Sequence, residues 1–141
     1  EAELRWRHPL AGLLPPAEWP APLPPALAER LLDRWLVEAC TQFLRWGPRL
    51  DVREAATLWL ALPAVWLEAP GLEAALERAL TVSGLAPARL RLRLSPQPQG
   101  RHVLLPPVAQ RLQARGCGLA AEGFGAGAAS LAQLHELPVQ A

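Results

Sequence analysis

The chain has 141 residues, a net charge of +1 and 51% apolar residues, enough for one packed domain. So small a net charge gives no electrostatic reason to expect nucleic acid or a membrane surface as a partner. The longest uncharged run, Ala55 to Leu67, is shorter than the ~18–20 residues of a membrane-spanning helix and contains Pro63. We therefore expect a cytoplasmic domain with no membrane span in this segment. All 14 basic residues are Arg, so neither Lys nor Tyr is available as a general base or proton donor.

The predicted elements alternate between strand and helix along the chain. Strands are predicted where apolar residues run continuously or alternate with polar ones, and helices where apolar residues recur at three- and four-residue steps. The predicted strands are Leu4 to Arg7, Ala55 to Leu62, Arg89 to Leu94 and Leu119 to Ala121. The predicted helices run from about Ala26 to Trp46, Gly71 to Ser83, Pro107 to Arg115 and Ala128 to Leu137.

The first helix follows a segment crowded with proline, from Leu13 to Pro25. Proline lacks an amide hydrogen and restricts its neighbour, so this segment is predicted to be a loop that Trp19 holds to the body of the domain. The helix itself should bury one apolar stripe, formed by Leu27, Leu31, Leu32, Trp35, Leu36, Ala39, Phe43 and Leu44.

Strands that alternate with helices of ten or more residues favour βαβ units and a parallel sheet. The predicted fold class is therefore α/β with about four βα units. Four units form either a small open sheet or half of an eight-fold barrel. The two cysteines, Cys40 and Cys117, lack a CxxC or Cys/His spacing, which favours buried free thiols.

Several motifs, in order and at nearly constant spacing, resemble the EAL domain, a (β/α)8-barrel phosphodiesterase module that hydrolyses cyclic di-GMP. The family's Glu-Ala-Leu-Leu-Arg-Trp and His-Pro are matched from Glu1 to Pro9, where Glu3 replaces the first Leu. Further matches are Gly12 to Trp19, Trp35 to Val37, Ala39 to Gln42, Ser83 to Pro87, Phe124 to Gly127, Ser130 to Leu131 and Leu137 to Val139. The resemblance implies a partial TIM-type barrel, with residues 1–141 as a degenerate EAL-like domain from the family's second strand to its fifth helix.

The resemblance also implies where a metal site would lie. In the family, carboxylates at the carboxyl ends of strands hold two divalent ions, Mg²⁺ or Mn²⁺. Glu1 occupies the position of the signature's metal-binding Glu. The metal-binding Asn falls on Ala61, the fourth-strand Glu on Arg93, and the fifth-strand Asp pair on Glu122 and Gly123. The family's catalytic Lys has no counterpart, since the chain contains no Lys.

These substitutions remove most of the expected ligands. Mg²⁺ requires near-octahedral oxygen ligation, which two scattered carboxylates do not supply. We therefore expect no metal, no cofactor and no catalytic residue, and we interpret the five positions as vestigial. Glu1 is otherwise explained as a solvated residue, and Glu122 as a cap of the glycine turn before Phe124.

Period two places Arg89, Arg91 and Arg93 on one face of a strand. One interpretation is a phosphate-binding pair of Arg93 and Arg5, because Arg5 corresponds to the ligand-positioning Arg of the family signature. The other is that these arginines pair with acids outside this segment or face solvent.

The resemblance and its departures together favour a non-catalytic regulatory module in bacterial cyclic di-GMP signalling that acts through protein–protein interaction. The alternative is a receptor that binds cyclic di-GMP without hydrolysing it, and an active phosphodiesterase comes third. The expected partners are a protein or domains of a parent chain. Because four βα units cannot close a barrel, a homodimer is the other expectation.

Overall fold

The computed structural model describes residues 1–19, 23–47, 56–63, 66, 69–94 and 106–121. The predicted helix Ala128 to Leu137 and the vestigial positions Glu122 and Gly123 lie outside these ranges. The described strands are β1 (Ala2–Glu3), β2 (Trp6–His8), β3 (Gly12–Leu14), β4 (Leu58–Leu62), β5 (Leu90–Leu94) and β6 (Gly118–Ala121). The described α-helices are α1 (Pro25–Trp46), α2 (Leu72–Ser83) and α3 (Pro106–Ala114). None of the described helices is long and apolar enough to cross a membrane.

Four strands form a parallel sheet in the order β1-β4-β5-β6. Parallel neighbours require a crossover connection, and the three helices lie in the connections between successive strands of this sheet. The predicted α/β class and parallel pairing are therefore confirmed. Strand β5 begins at Leu90 and β6 at Gly118, each within one residue of its predicted start.

The predicted strand Leu4 to Arg7 is confirmed at Trp6 and Arg7, which lie in β2, and is wrong for Leu4 and Arg5. The chain leaves the sheet after Glu3 and forms a separate antiparallel hairpin in which β2 pairs with β3. The turn of this hairpin is stabilised by His8, whose Nδ1 accepts the backbone N–H groups of Leu10 and Ala11 at 3.2 and 3.1 Å. Gly12 has a φ of 78°, a conformation that glycine adopts without the steric cost of a side chain.

The predicted loop from Leu13 to Pro25 begins too early, because it includes most of β3 and a 3₁₀ turn at Pro16–Glu18. The prolines stop the chain from extending after β3, but they do not prevent β3 itself. Trp19 is half-buried, and its indole N–H donates to the carbonyl of Leu14 at 3.2 Å. This bond fastens the segment to the hairpin.

The core lies between the helices and one face of the sheet. That face is lined with leucine because alternate residues of a strand point the same way. On α1 the buried residues start at Leu32, whereas Leu27 is 48% exposed, so the predicted stripe begins one turn too early. Periodicity identifies which face of a helix is apolar, but it does not show at which residue the helix begins to pack against the sheet. The core residues of the strands are Leu58, Leu60, Leu62, Leu90, Leu92 and Leu119.

Surface ion pairs connect the three helices on their outer sides. Arg78 Nε of α2 lies 2.5 Å from Asp33 Oδ1 of α1. Glu73 of α2 pairs with Arg111 of α3. Just beyond α3, Arg115 Nη1 lies 2.7 Å from Glu77 Oε2. These side chains are partly or largely exposed, so each pair contributes no more than about 1 kcal/mol.

Candidate functional site

The face of the sheet opposite the helices carries the positions that the sequence singles out. Strand register places Glu3 beside Ala61, Ala61 beside Arg93, and Arg93 beside Ala120. Register partners in a parallel sheet point to the same side, so these four residues form one row across β1, β4, β5 and β6. We call Glu3, Ala61, Arg93 and Ala120 the central row. It brings together two of the five vestigial positions, Ala61 and Arg93.

A third vestigial position joins the central row through an ion pair. Glu1 immediately precedes β1, and its Oε1 contacts Nη2 of Arg93. The Arg93 side chain is 27% exposed and that of Glu1 46%, so the pair is partly shielded from water. The guanidinium of Arg93 therefore pairs with the carboxylate at the position that the resemblance matches to a metal-binding Glu.

Arg5 is also held by a carboxylate, but by a different one. Its Nε and Nη2 donate to Oε2 of Glu3 at 3.2 and 2.9 Å, and both side chains are exposed. These contacts link Arg5 and Arg93 to two separate acids and not to one shared site. The expectation that the arginines pair only with acids outside this segment is wrong for Arg93, since Glu1 is a partner.

The expectation that Arg89 shares a face with Arg91 and Arg93 is also wrong. Pro87 starts a 3₁₀ turn that ends at Arg89, and the strand begins only at Leu90. Arg89 Nε donates to the Ala56 carbonyl at 3.0 Å, and its guanidinium lies 5.2 Å from the centroid of the Phe43 ring. Arg89 therefore connects the start of β5 to Phe43 of α1 and to Ala56, which lies just before β4.

Arg91 lies two residues before the central row on β5, towards the amino-terminal ends of the strands. Its guanidinium carbon is 5.6 Å from the centroid of the Trp59 ring. A cation over an aromatic face is attracted by the negative potential of that face. Trp59 and Arg91 are register partners, so neighbouring strands place ring and cation together.

The described residues of the central row do not fit a divalent metal ion. The side chains of Ala61 and Ala120 have no donor atom, and Arg93 is a cation. The carboxylate of Glu3 is paired with Arg5, and that of Glu1, which precedes the row, with Arg93. Within the described ranges, no group of three or more His, Cys, Asp or Glu is arranged to hold a metal. A hard cation such as Mg²⁺ or Mn²⁺ requires several oxygen ligands in a defined geometry.

Both cysteines are buried free thiols, as the sequence predicts. Burial raises the pKa of Cys40 to about 11, with a smaller contribution from Cys117. Burial likewise raises the pKa of Cys117 to about 11, against a small opposing effect of Arg115. Both thiols are therefore neutral at physiological pH and poor nucleophiles.

Two features were missed by the sequence predictions. The pairing of Glu3 with Arg5 has a local signal, since opposite charges two residues apart share a face in extended backbone. The hairpin exposes Trp6, Leu10 and Leu13, which are 38%, 94% and 56% exposed. The signal of this hairpin in the sequence was the turn chemistry of Pro9 to Gly12.

Comparison with known proteins identifies the fold. The model of the EAL domain family matches residues 1–141. The structure superposes on the MucR phosphodiesterase in complex with cyclic di-GMP with a TM-score of 0.74 and 30% identity, covering 98% of this chain and 56% of that one. It superposes on the EAL domain of Mycobacterium smegmatis DcpA with a TM-score of 0.64 and 25% identity, covering 79% and 51%.

Two curated proteins are similar over nearly the whole segment. The bifunctional diguanylate cyclase/cyclic di-GMP phosphodiesterase MucR of Pseudomonas aeruginosa is 33% identical over 147 residues, and an uncharacterized signaling protein of Caulobacter vibrioides is 30% identical over 140. The chain covers only 20% and 17% of their lengths. The predicted partial TIM-type barrel is confirmed by these likenesses, and the chain belongs to the EAL domain family.

Proposed function

We propose that this domain is a degenerate, non-catalytic EAL-like module that regulates cyclic di-GMP signalling through protein–protein interaction. Membership of the EAL family supplies the signalling context, and the MucR protein similar to it carries both a cyclase and a phosphodiesterase activity by name. The absence of hydrolysis and the interaction with a protein are our own inferences from the side chains described above.

The observation that carries the proposal is the ion pair between Glu1 and Arg93. Hydrolysis assisted by metal ions needs free carboxylates that fix the ions beside the attacking water. Here the guanidinium of Arg93 neutralises Glu1 and repels a divalent cation. Ala61, the neighbour of Arg93 in the central row, offers a methyl group and no ligand.

The β2–β3 hairpin supports interaction with a protein. The hairpin is a two-stranded sheet, an arrangement that is only marginally stable in water on its own. It also exposes the apolar side chains of Trp6, Leu10 and Leu13. Burying a large apolar side chain contributes about 1.5–3 kcal/mol, so a partner that covered these residues would gain affinity and stabilise the hairpin. Aromatic residues are enriched in protein interfaces for this reason.

The second candidate function is a receptor for cyclic di-GMP. Arg5 favours it, because its side chain is 52% exposed and its partner Glu3 is close to the surface as well. An exposed ion pair of this kind contributes about 0–1 kcal/mol, so a phosphate could displace Glu3 at small cost.

Calorimetric titration with cyclic di-GMP distinguishes the two candidates. The MucR phosphodiesterase domain, whose structure holds the nucleotide, serves as the positive control. We expect no saturable heat from this domain up to high micromolar nucleotide. Saturable heat that disappears in Arg5→Gln would establish the receptor and reject our preference for a module without nucleotide.

Hairpin variants test the interaction itself. Leu10→Ser removes the most exposed apolar side chain of the hairpin, and Val82→Ser removes a 63% exposed one from α2 as a matched control. We expect cross-linked partners of the native chain to be lost from Leu10→Ser and retained by Val82→Ser. Equal recovery from both variants would exclude the hairpin as the interaction surface.

A further inference from the structure

A groove of about 460 Å³ lies at the amino-terminal ends of β5 and β6, beside the end of α3. Arg91 and Gln113 are among the residues that line it, and Gly116, Cys117 and Gly118 line it along the segment that enters β6. This volume falls within the range of about 300–1,000 Å³ that is usual for sites of small molecules. The groove is separate from the central row, which lies further towards the carboxyl ends of the same strands.

Gly118 determines how Arg91 reaches the groove. A Cβ at Gly118 would lie 3.0 Å from Arg91 Cγ and 3.1 Å from Nη1, closer than most real Cβ contacts. The absent side chain therefore leaves the space in which Arg91 lies across β6. On the other side, the Trp59 ring lies 5.6 Å from the guanidinium carbon. Glycine and ring together hold the cation in one orientation beside the groove.

Arg91 and Gln113 are the hydrogen-bonding side chains among the described residues that line the groove, and each also has an interaction within the protein. Arg91 is the one charged residue among the described residues that line it, and Gln113 adds an amide, which can donate two hydrogen bonds. The buried thiol of Cys117 is neutral, because burial raises its pKa to about 11. A guanidinium fork binds phosphate or carboxylate oxygens through two parallel hydrogen bonds.

We propose that this groove binds the oxyanion group of a small molecule, a phosphate or a carboxylate, through Arg91 with Gln113 as a second donor. The site goes beyond the proposed protein interaction, because it lies towards the opposite ends of the strands from Arg93 and Glu1. A ligand there contacts the start of β5 and β6 and the end of α3. Its binding would therefore stabilise the junction of these three elements.

Three anions at equal ionic strength distinguish the sources of the oxyanion. The protein at its full natural length is titrated with inorganic phosphate, with guanosine monophosphate and with citrate, and chloride serves as the control. Binding is followed by calorimetry and by the NMR signal of the Arg91 side chain. We expect saturable binding of at least one oxyanion and a shift of the Arg91 signal, neither of which chloride reproduces.

Variants connect the binding to the geometry. We expect Arg91→Gln to weaken the bound anion at least tenfold, and Arg91→Lys, which keeps the charge but loses the fork, to have an intermediate effect. Gly118→Ala should also weaken binding, because its methyl group displaces Arg91. Arg34→Gln, which changes an exposed arginine of α1, is the matched control and should bind as the native chain does.

Two results would overturn the proposal. One is that phosphate, guanosine monophosphate and citrate all behave like chloride at equal ionic strength. The other is that a folded Arg91→Gln or Arg91→Lys variant binds anions as tightly as the native chain. Neither result bears on the proposed protein interaction, which depends on the hairpin and on the pair of Glu1 and Arg93.

Discussion

At the scale of single residues, the pairing of Arg93 with Glu1 determines how charge is balanced at the central row. Arg93 lies beside Ala61 and pairs with Glu1. We propose that its guanidinium stands where a metal ligand would be needed and neutralises the Glu1 carboxylate. As the partner of Arg93, Glu1 has a structural role that needs no metal.

Arg93→Glu should convert this pair into two adjacent carboxylates. We expect Mn²⁺ to raise the melting temperature of Arg93→Glu, because the ion would relieve the repulsion between Glu1 and the introduced carboxylate, and to leave the native chain unchanged. Differential scanning fluorimetry with and without Mn²⁺ measures the effect. Arg93→Gln, which removes the cation without adding an acid, is the control and should not respond. An equal response of the native chain would contradict our account of Arg93.

The buried thiols predict an alkaline loss of stability. A raised pKa in the folded state stabilises the protein fully below pH 9.0, and this stability is lost as the pH rises towards about 11. The chain has no Lys or Tyr, so no other side chain begins to titrate in this window. The free energy of unfolding should fall by up to about 1.4 kcal/mol per pH unit for each thiol.

Urea unfolding between pH 8 and pH 11 measures this slope. Cys117→Ala, which retains only the Cys40 thiol, should show roughly half of it. Stability that stays constant up to pH 11 in the native chain would mean that the thiols are not buried as the structure places them.

At the scale of elements, the sequence predicts helices and interior strands better than it predicts the hairpin. Helix α2 and strand β5 were located to within a residue because their periodicity agrees with their burial. The β2–β3 hairpin has three residues in each strand, too few for alternation to show. Its turn depends on the side chain of His8, which no hydrophobic pattern records.

The two glycines that end α1 and α2 should respond oppositely to alanine. Gly84 has a φ of 75°, and Gly84→Ala should destabilise by about 1 kcal/mol. Gly47 is right-handed helical at φ −46°, so Gly47→Ala should be neutral or stabilise by up to about 1 kcal/mol. Around both positions the described residues leave a Cβ unobstructed, so the backbone alone decides. Urea unfolding of both variants gives the comparison, and a loss of equal size in each would contradict it.

The loss in free energy of unfolding when a leucine of α1 is replaced by alanine should depend on its position along the helix. Leu36 is fully buried, and Leu36→Ala should destabilise by about 2–5 kcal/mol through lost burial and a cavity. Leu27 is 48% exposed, and Leu27→Ala should change stability by less than about 0.5 kcal/mol. Unfolding midpoints measure both. A large loss of stability in Leu27→Ala would mean that Leu27 belongs to the buried stripe, as the sequence predicts.

At the scale of the whole molecule, the motifs from Glu1 to Pro9 and from Ser83 to Pro87 predicted the family, and the strand–helix order predicted the parallel sheet. The partners of the charged residues could not be predicted. The pairing of Glu1 with Arg93 joins the start of β1 to β5 across an intervening strand, and only three-dimensional register brings them together. The contact of Arg91 with Trp59 and Gly118 has the same origin.

The four parallel strands form part of a barrel and not a closed one. The chain covers 56% of the MucR phosphodiesterase chain on which it superposes. A homodimer of this segment, or its completion by a parent chain, remains our prediction, because the ends of an open sheet present unpaired backbone groups.

Hydrolysis of cyclic di-GMP tests the central claim most directly. The longest natural chain that contains these residues is incubated with the nucleotide and Mn²⁺, with the MucR phosphodiesterase as the positive control and Glu1→Gln as the matched variant. We predict no hydrolysis above the rate without protein, and no difference between the native chain and Glu1→Gln. Turnover that requires Mn²⁺ and is lost in Glu1→Gln would contradict the claim that Arg93 has replaced the metal.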